Sequence, residues 1–246
     1  MIKTLTIQEL LDQTGHRDFP LPNRHWAFYQ EWQDVLFLHW KIPYRMLREL
    51  VPDSLTLDCY DGEYYISLVP FSMKNVRPRF LPAFSPVSDF HEINLRTYIQ
   101  MGGRRGVYFL SIEAEKQIST WISRTISGMP YEKSHIVRDH NCYQSSQPGN
   151  NKQLDLEYVV TGDSFVKSPL DHWLTDRYCL FLTEAGQVYR YDVHHVEWPI
   201  LPVKLLKYHV NYQIGNLVLQ NQAPTLMHFS RGVQVLAWGK QLESTI

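Results

Sequence analysis

The stretch His91-Glu92-Ile93-Asn94-Leu95-Arg96-Thr97-Tyr98-Ile99-Gln100, HEINLRTYIQ, carries more of the reading than any other part of the 246-residue chain. Successive side chains of a strand point to opposite faces. Glu92, Asn94, Arg96 and Tyr98 therefore share one face, and Ile93, Leu95 and Ile99 share the other. The apolar face is made for packing. The polar face admits two readings. In the first it lines the interior of a barrel wall, where a buried Glu and Arg would have to pair, because isolated buried charges are very costly. In the second it is the water-facing side of an ordinary antiparallel strand, which alternates in the same way.

The neighbouring segments also read as strands. Downstream, a turn at Gly102-Gly103 leads into Val107–Ile112, VYFLSI, a hairpin partner. Upstream, Leu55–Tyr60 and Tyr64–Val69 flank Asp61-Gly62, a strong hairpin signal. Asp34–Trp40, DVLFLHW, is a further strand. Tyr44 to Pro52 reads as a short helix that ends at the proline. Val76–Asp89 holds three prolines and no period, so it is expected to be a long loop of the kind that serves as a lid or binding loop.

Further along, residues 115–127 place Ile118, Trp121, Ile122 and Ile126 at helical spacing, with Gly128 as the stop. Short strands are expected at Ser134–Val137, Leu154–Thr161, Tyr178–Thr183, Val188–Val193, Val203–Tyr208, Asn216–Leu219 and Val233–Trp238. The polar Gln144–Gln153 reads as a loop tip, and residues 1–25 as an N-terminal extension carrying a short amphipathic helix. There is no fixed repeat and no β-α alternation. The predicted fold is mainly β: one domain over residues 1–246, an antiparallel barrel or sandwich with a few peripheral helices.

Composition narrows the function by exclusion. Tyr 15, Phe 11 and Trp 7 favour pleated, half-buried surfaces. A net charge of -1 gives no electrostatic case for nucleic acid, and Arg77, Arg79, Arg104 and Arg105 read as scattered loop charge. Cys59, Cys142 and Cys179 form no CxxC pair, which points to a reducing compartment. No signal-like run opens the chain and no window reaches the ~20 apolar residues of a membrane span, so a cytoplasmic protein without a membrane partner is expected. The 11 histidines follow no metal-ligand spacing, and His39, His91, His135, His140 and His228 have no fixed partner in the sequence. Neither a metal nor a cofactor is expected. Nothing in the sequence fixes an oligomeric state.

Eight segments taken together carry a resemblance: FLHWKIPYRMLRELVPDSL, VPFSM, HEINLRTYI, GVYFLSIEA, SGMPYEKS, LTDRYCLF, HHVEWPILP and HFSRGVQVLAWG. In order and spacing, from about Trp32 to Gly239, they resemble the YqjF-like family of uncharacterised bacterial proteins (DUF2071). That family is similar, more remotely, to acetoacetate decarboxylase. The resemblance implies a closed, cone-like antiparallel β-barrel with a central cavity and helices outside. The decarboxylases carry an Arg, a Gly four positions on, a Pro six positions on, and two lysines directly after it. Arg124, Gly128 and Pro130 match this frame, but the lysine positions hold Tyr131 and Glu132. Decarboxylation through an imine needs an amine whose pKa is lowered by a neighbouring cation. Tyrosine cannot form the imine, a carboxylate neighbour would raise a lysine pKa, and Lys133 is out of frame.

Glu92 corresponds to a cavity glutamate of the decarboxylases, so the resemblance implies that the polar row faces inward, with Tyr131 and Glu132 nearby. The candidate ligand-binding residues are therefore Glu92, Asn94, Arg96, Tyr98, Tyr131 and Glu132, with Arg96 as anion partner. Three functions follow: a barrel that binds a small polar or anionic molecule without Schiff-base chemistry, an enzyme on a small carbonyl or carboxylate compound with Glu92 as acid or base, and a non-catalytic interaction protein.

Overall fold

The computed structural model describes residues 4–116, 129, 131–147 and 149–245. In chain order these give α1 (Ile7–Asp12), β1 (Phe28–Lys41), α2 (Tyr44–Arg48), β2 (Thr56–Leu57), β3 (Tyr65–Pro78), α3 (Ser85–Ser88), β4 (Phe90–Met101), β5 (Arg104–Ala114), β6 (Tyr131–Lys133), β7 (His135–Asp139), β8 (Cys142–Gln147) and β9 (Lys152–Val160). Then follow α4 (Pro169–Thr175), β10 (Cys179–Glu184), β11 (Gln187–His194), β12 (Ile200–Leu201), β13 (Val203–Ile214), β14 (Leu217–Gln220), β15 (Leu226–Ala237) and β16 (Gln241–Thr245). Among the described residues, no helix is long and apolar enough to cross a membrane.

The mainly β architecture divides into two sheets. The larger is eleven-stranded, ordered β12-β15-β1-β3-β4-β5-β10-β11-β16, with β2 added on β4 and β6 on β5. β11 also pairs with β15 through Val193–Ala237 and His194–Leu236. The second sheet is five-stranded, ordered β14-β13-β9-β8-β7. Most pairings are antiparallel, but β5 runs parallel to both β6 and β10.

β4 explains why the sheets meet where they do. Its Ile93, Leu95 and Ile99 join one core with Leu38 and Leu68 of neighbouring strands and Tyr143, Leu154 and Val210 of the second sheet. Burial of such side chains contributes about 2 kcal/mol each. The opposite face of β4 is covered too, since the strand is buried almost end to end. A strand buried on both faces normally reads as continuous hydrophobic sequence. Glu92, Asn94 and Arg96 break that rule. The water-facing reading of the row is thereby excluded.

Several expected boundaries differ. The Asp61-Gly62 turn forms with both φ angles positive, yet its ladder stops at the Tyr60–Glu63 bridge. Thr56 and Leu57 pair instead with β4, because Leu55 and Leu57 are drawn into the core shared by the two sheets. The long loop expected at Val76–Asp89 is mostly ordered, as β3 continues to Pro78 and Ser85–Ser88 turns helical around Pro86. Gln144–Gln153 is the meeting of β8 and β9, paired from Cys142–Glu157 to Gln147–Lys152. Its polarity reflects a sheet with one wet face. Of the helix expected at residues 115–127, Glu115 and Lys116 are not helical, and the remainder, together with Arg124, Gly128 and Pro130, lies outside the described residues.

Candidate functional site

A cavity of about 130 Å³ lies against the polar face of β4. Glu92, Asn94 and Arg96 line it, and they are 3%, 5% and 9% exposed. β6 supplies the facing group. Its parallel register on β5 sets Tyr131 opposite Ile112, and alternation turns the Tyr131 ring into the cavity and Glu132 away from it. The Tyr131 hydroxyl donates to Glu92 Oε2 at 2.9 Å, and Asn94 Nδ2 donates to Oε1 at 3.4 Å. Burial pushes the Glu92 carboxyl up to about 7, against these two hydrogen bonds, which favour the ionised form. Glu92 thus exchanges a proton near neutrality.

The expected Glu92–Arg96 ion pair does not form. Four residues along a strand separate the two groups by roughly 13 Å, and Asn94 stands between them. Arg96 Nε and Nη2 are buried and find no hydrogen-bond acceptor among the described residues. Its guanidinium stands 5.7 Å from the Phe37 ring centroid, and burial lowers its pKa. A second guanidinium approaches from the chain that follows α4. Arg177 Nη1 donates to Asp58 Oδ2 at 2.7 Å and Nε to the Trp173 carbonyl at 2.8 Å, while Nη2 is buried without an acceptor. α4 is set by a capping box in which Ser168 and Asp171 bond reciprocally, with Pro169 in the first turn. Ser168-Pro169-Leu170-Asp171 carries the signal for this helix in the sequence.

Four aromatic rings form part of the wall. Trp198 meets Phe37 edge-on at 5.1 Å and stacks on Trp32 at 6.1 Å, and Trp32 meets Phe71 at 5.9 Å. His195 also lines the cavity, with Nδ1 2.6 Å from the Val196 carbonyl and Nε2 lacking a partner among the described residues. Burial pushes its pKa down to about 3, so the ring is neutral. Arg177, His195 and Trp198 were absent from the expected site, although LTDRYCLF and HHVEWPILP contain them.

Two expected residues lie elsewhere. Tyr98 does not line the cavity but backs it, its hydroxyl interacting with Arg96 and its ring lying 4.9 Å from the Arg177 guanidinium, and it belongs to a buried network of its own. Its hydroxyl donates to the Leu174 carbonyl at 2.9 Å and lies 2.5 Å from Ser67 Oγ. Ser67 Oγ reaches His39 Nδ1 at 2.6 Å, His39 Nε2 reaches His228 Nδ1 at 3.2 Å, and His228 Nε2 reaches Asp171 Oδ1 at 2.8 Å. His39 and His228, expected to be isolated, are therefore partners. Glu132 accepts from Lys152 Nζ and Gln147 Nε2, each at 2.8 Å, outside the cavity. Lys133 is exposed, and among the described residues no lysine lines the cavity. One other group, His172, Asp176 and Glu197, brings three metal-type ligand atoms within 4.8 Å of one another. Lys167 Nζ already lies 3.1 Å from Asp176 and 3.8 Å from Glu197, so a cation is in place there.

The arrangement of sheets is that of the acetoacetate decarboxylase-like proteins. An acetoacetate decarboxylase structure superposes with a TM-score of 0.59 at 10% identity, covering 98% of this chain and 99% of that one. The enduracididine biosynthesis enzyme MppR, solved with pyruvate, gives 0.59 at 12% identity over 93% and 94%. An acetoacetate decarboxylase-like enzyme from Sphingomonas wittichii RW1 gives 0.57 at 15% identity over 91% and 95%. Within that fold class the chain belongs to DUF2071, the family of an uncharacterized conserved protein, whose profile matches residues 29–234. It is also 32% identical over 237 residues to the uncharacterized protein YqjF of Bacillus subtilis strain 168, covering 93% of this chain and 98% of that protein.

Proposed function

We propose that the cavity binds a small anionic molecule, with Arg96 as its principal partner and without Schiff-base chemistry. The observation that carries this reading is the Arg96 guanidinium, buried with two N–H-bearing nitrogens lacking acceptors among the described residues. A buried cation without a counter-charge costs several kcal/mol. A carboxylate offers the two oxygens that a guanidinium fork matches. Arg177 Nη2 adds a further donor at the same cavity. The path of strand pairings from β15 through β1, β3, β4, β5, β10 and β11, and again to β15, supports reading the larger sheet as the wall of a barrel around this site.

Tyr131 in place of an imine lysine argues against a covalent carbonyl adduct. MppR was solved with pyruvate, and comparison with it favours an oxo acid or simple carboxylate as the first molecules to try. A second reading rests on Glu92. A carboxyl poised near 7 and held by Tyr131 suits a general acid or base.

Thermal shifts of the full chain with carboxylates, set against their uncharged amides, test the proposal. Carboxylates should raise the melting temperature, amides should not, and Arg96→Met should abolish the response. Equal responses to acid and amide would end the anion reading. Borohydride with acetoacetate or pyruvate should leave no adduct on any lysine. If the second reading holds, Glu92→Gln should bind the anion yet lose turnover.

A further inference from the structure

Resting on that reading, we infer that the anion is a single-ring aromatic carboxylate, with its ring held in the cage of Phe37, Trp32, Trp198 and Phe71. Cross-strand register orders the wall. On β3, Phe71 stands opposite Glu92, Val69 opposite Asn94 and Ser67 opposite Arg96, while Phe109 of β5 stands opposite Arg96 on its other side. The guanidinium thus marks one end of the row and the protonatable Glu92 the other, with Val69 and Asn94 between them. The four rings link these ends in an unbroken series of edge and stacked contacts at 5.1–6.1 Å. The Arg96 guanidinium itself lies against the first of them, Phe37.

Size and shape select within anions. The cavity of about 130 Å³ is close to the ~150 Å³ of an engineered apolar cavity that takes up benzene. Acetate or pyruvate would satisfy Arg96 and leave the ring walls without contact atoms, forfeiting dispersion. A long acyl chain exceeds the space. An aromatic body gains edge-to-face and offset contacts beyond simple area burial. Its distal edge, or a polar substituent there, meets Asn94 and the Glu92 carboxyl.

The test is calorimetric titration of the full chain with benzoate, phenylacetate, acetate, pyruvate, octanoate and benzamide, repeated on Arg96→Met and Val69→Phe. Benzoate or phenylacetate should bind at least about tenfold more tightly than acetate, pyruvate and octanoate. Benzamide and Arg96→Met should lose that binding. Val69→Phe, which fills the ring space and leaves Arg96 in place, should lose the aromatic acids and keep acetate. Because a variant can fail by unfolding, a crystal grown with 3-iodobenzoate should show the iodine among the four rings and the carboxylate at Arg96. If acetate or pyruvate equals benzoate, or octanoate exceeds it, the ring assignment falls and the anion site stands. If benzamide equals benzoate and Arg96→Met binds both, the anion site falls as well.

Discussion

The Tyr131 hydroxyl donates to Glu92 Oε2 at 2.9 Å, in the frame where the decarboxylases place a lysine. The exchange replaces a nucleophilic amine by a neutral donor that cannot become a cation at working pH. Among the described residues Glu92 has no counter-charge, and burial lifts its carboxyl to about 7. A lysine at this position would hold Glu92 ionised and would itself stay protonated.

Tyr131→Phe isolates that hydrogen bond. The hydroxyl favours the ionised carboxyl, so its loss should raise the Glu92 pKa by about one unit, the equivalent of a charge-assisted hydrogen bond of roughly 1.5 kcal/mol. Carbon-13 NMR titration of labelled glutamate reads the value directly. An unchanged or lower midpoint would show that the hydroxyl does not control Glu92.

Arg96→Met should leave the ligand-free protein as stable or more so, by up to about 2 kcal/mol, because it removes a buried charge whose Nε and Nη2 have no acceptor among the described residues. Urea unfolding at neutral pH checks this. A loss of more than about 2 kcal/mol would mean that Arg96 is structurally satisfied and is not waiting for an anion.

Acid should destabilise the fold. Burial lowers the pKa of His39 and His228, and takes His194 to about 4 and His195 to about 3. An unfolded histidine takes up its proton near 6.5. As pH falls below that value the unfolded chain binds protons that the fold refuses, so stability drops towards pH ~4. Glu92 acts in the opposite sense. With its folded pKa raised to about 7, its contribution is full below the unfolded value near 4.5 and is lost as pH rises through 7. With His91, which burial also lowers, five histidines outweigh the two raised carboxyls Glu92 and Glu113, so urea midpoints should fall between about pH 6.5 and pH 5, and more steeply in Glu92→Gln. A flat profile would contradict the buried neutral rings.

Gly232→Ala should be among the most damaging small substitutions. Gly232 sits at φ +125°, and a Cβ there would lie 2.1 Å from the Trp32 carbonyl oxygen across the β1–β15 ladder. Neither a positive φ nor a backbone clash can be relieved by a rotamer change, so a loss above about 2 kcal/mol is expected. Gly15→Ala, with open space around it, is the control and should change stability by less than about 0.5 kcal/mol. Equal melting temperatures for the two variants would refute the argument.

What the sequence determined by itself is local and periodic. Alternation in HEINLRTYIQ grouped Glu92, Asn94 and Arg96 on one face, the Asp61-Gly62 turn was readable from its residue types, and the motif frame located Tyr131 where a lysine was due. Alternation names the side chains that share a face, but it is silent on what covers that face. Only the tertiary structure decided that the second sheet would cover Ile93 and Leu95, leaving the polar row to an enclosed space. It likewise turned Glu132 outward to Lys152, drew Tyr98 into the His39–His228 network, and brought Arg177, His195 and Trp198 from distant segments to Arg96. The lack of a Glu92–Arg96 pair has the same origin, because strand rise sets them too far apart and only packing could have supplied another partner. For two nitrogens of Arg96 the described residues supply no acceptor, and that unfilled donor pair is the basis of the proposed function.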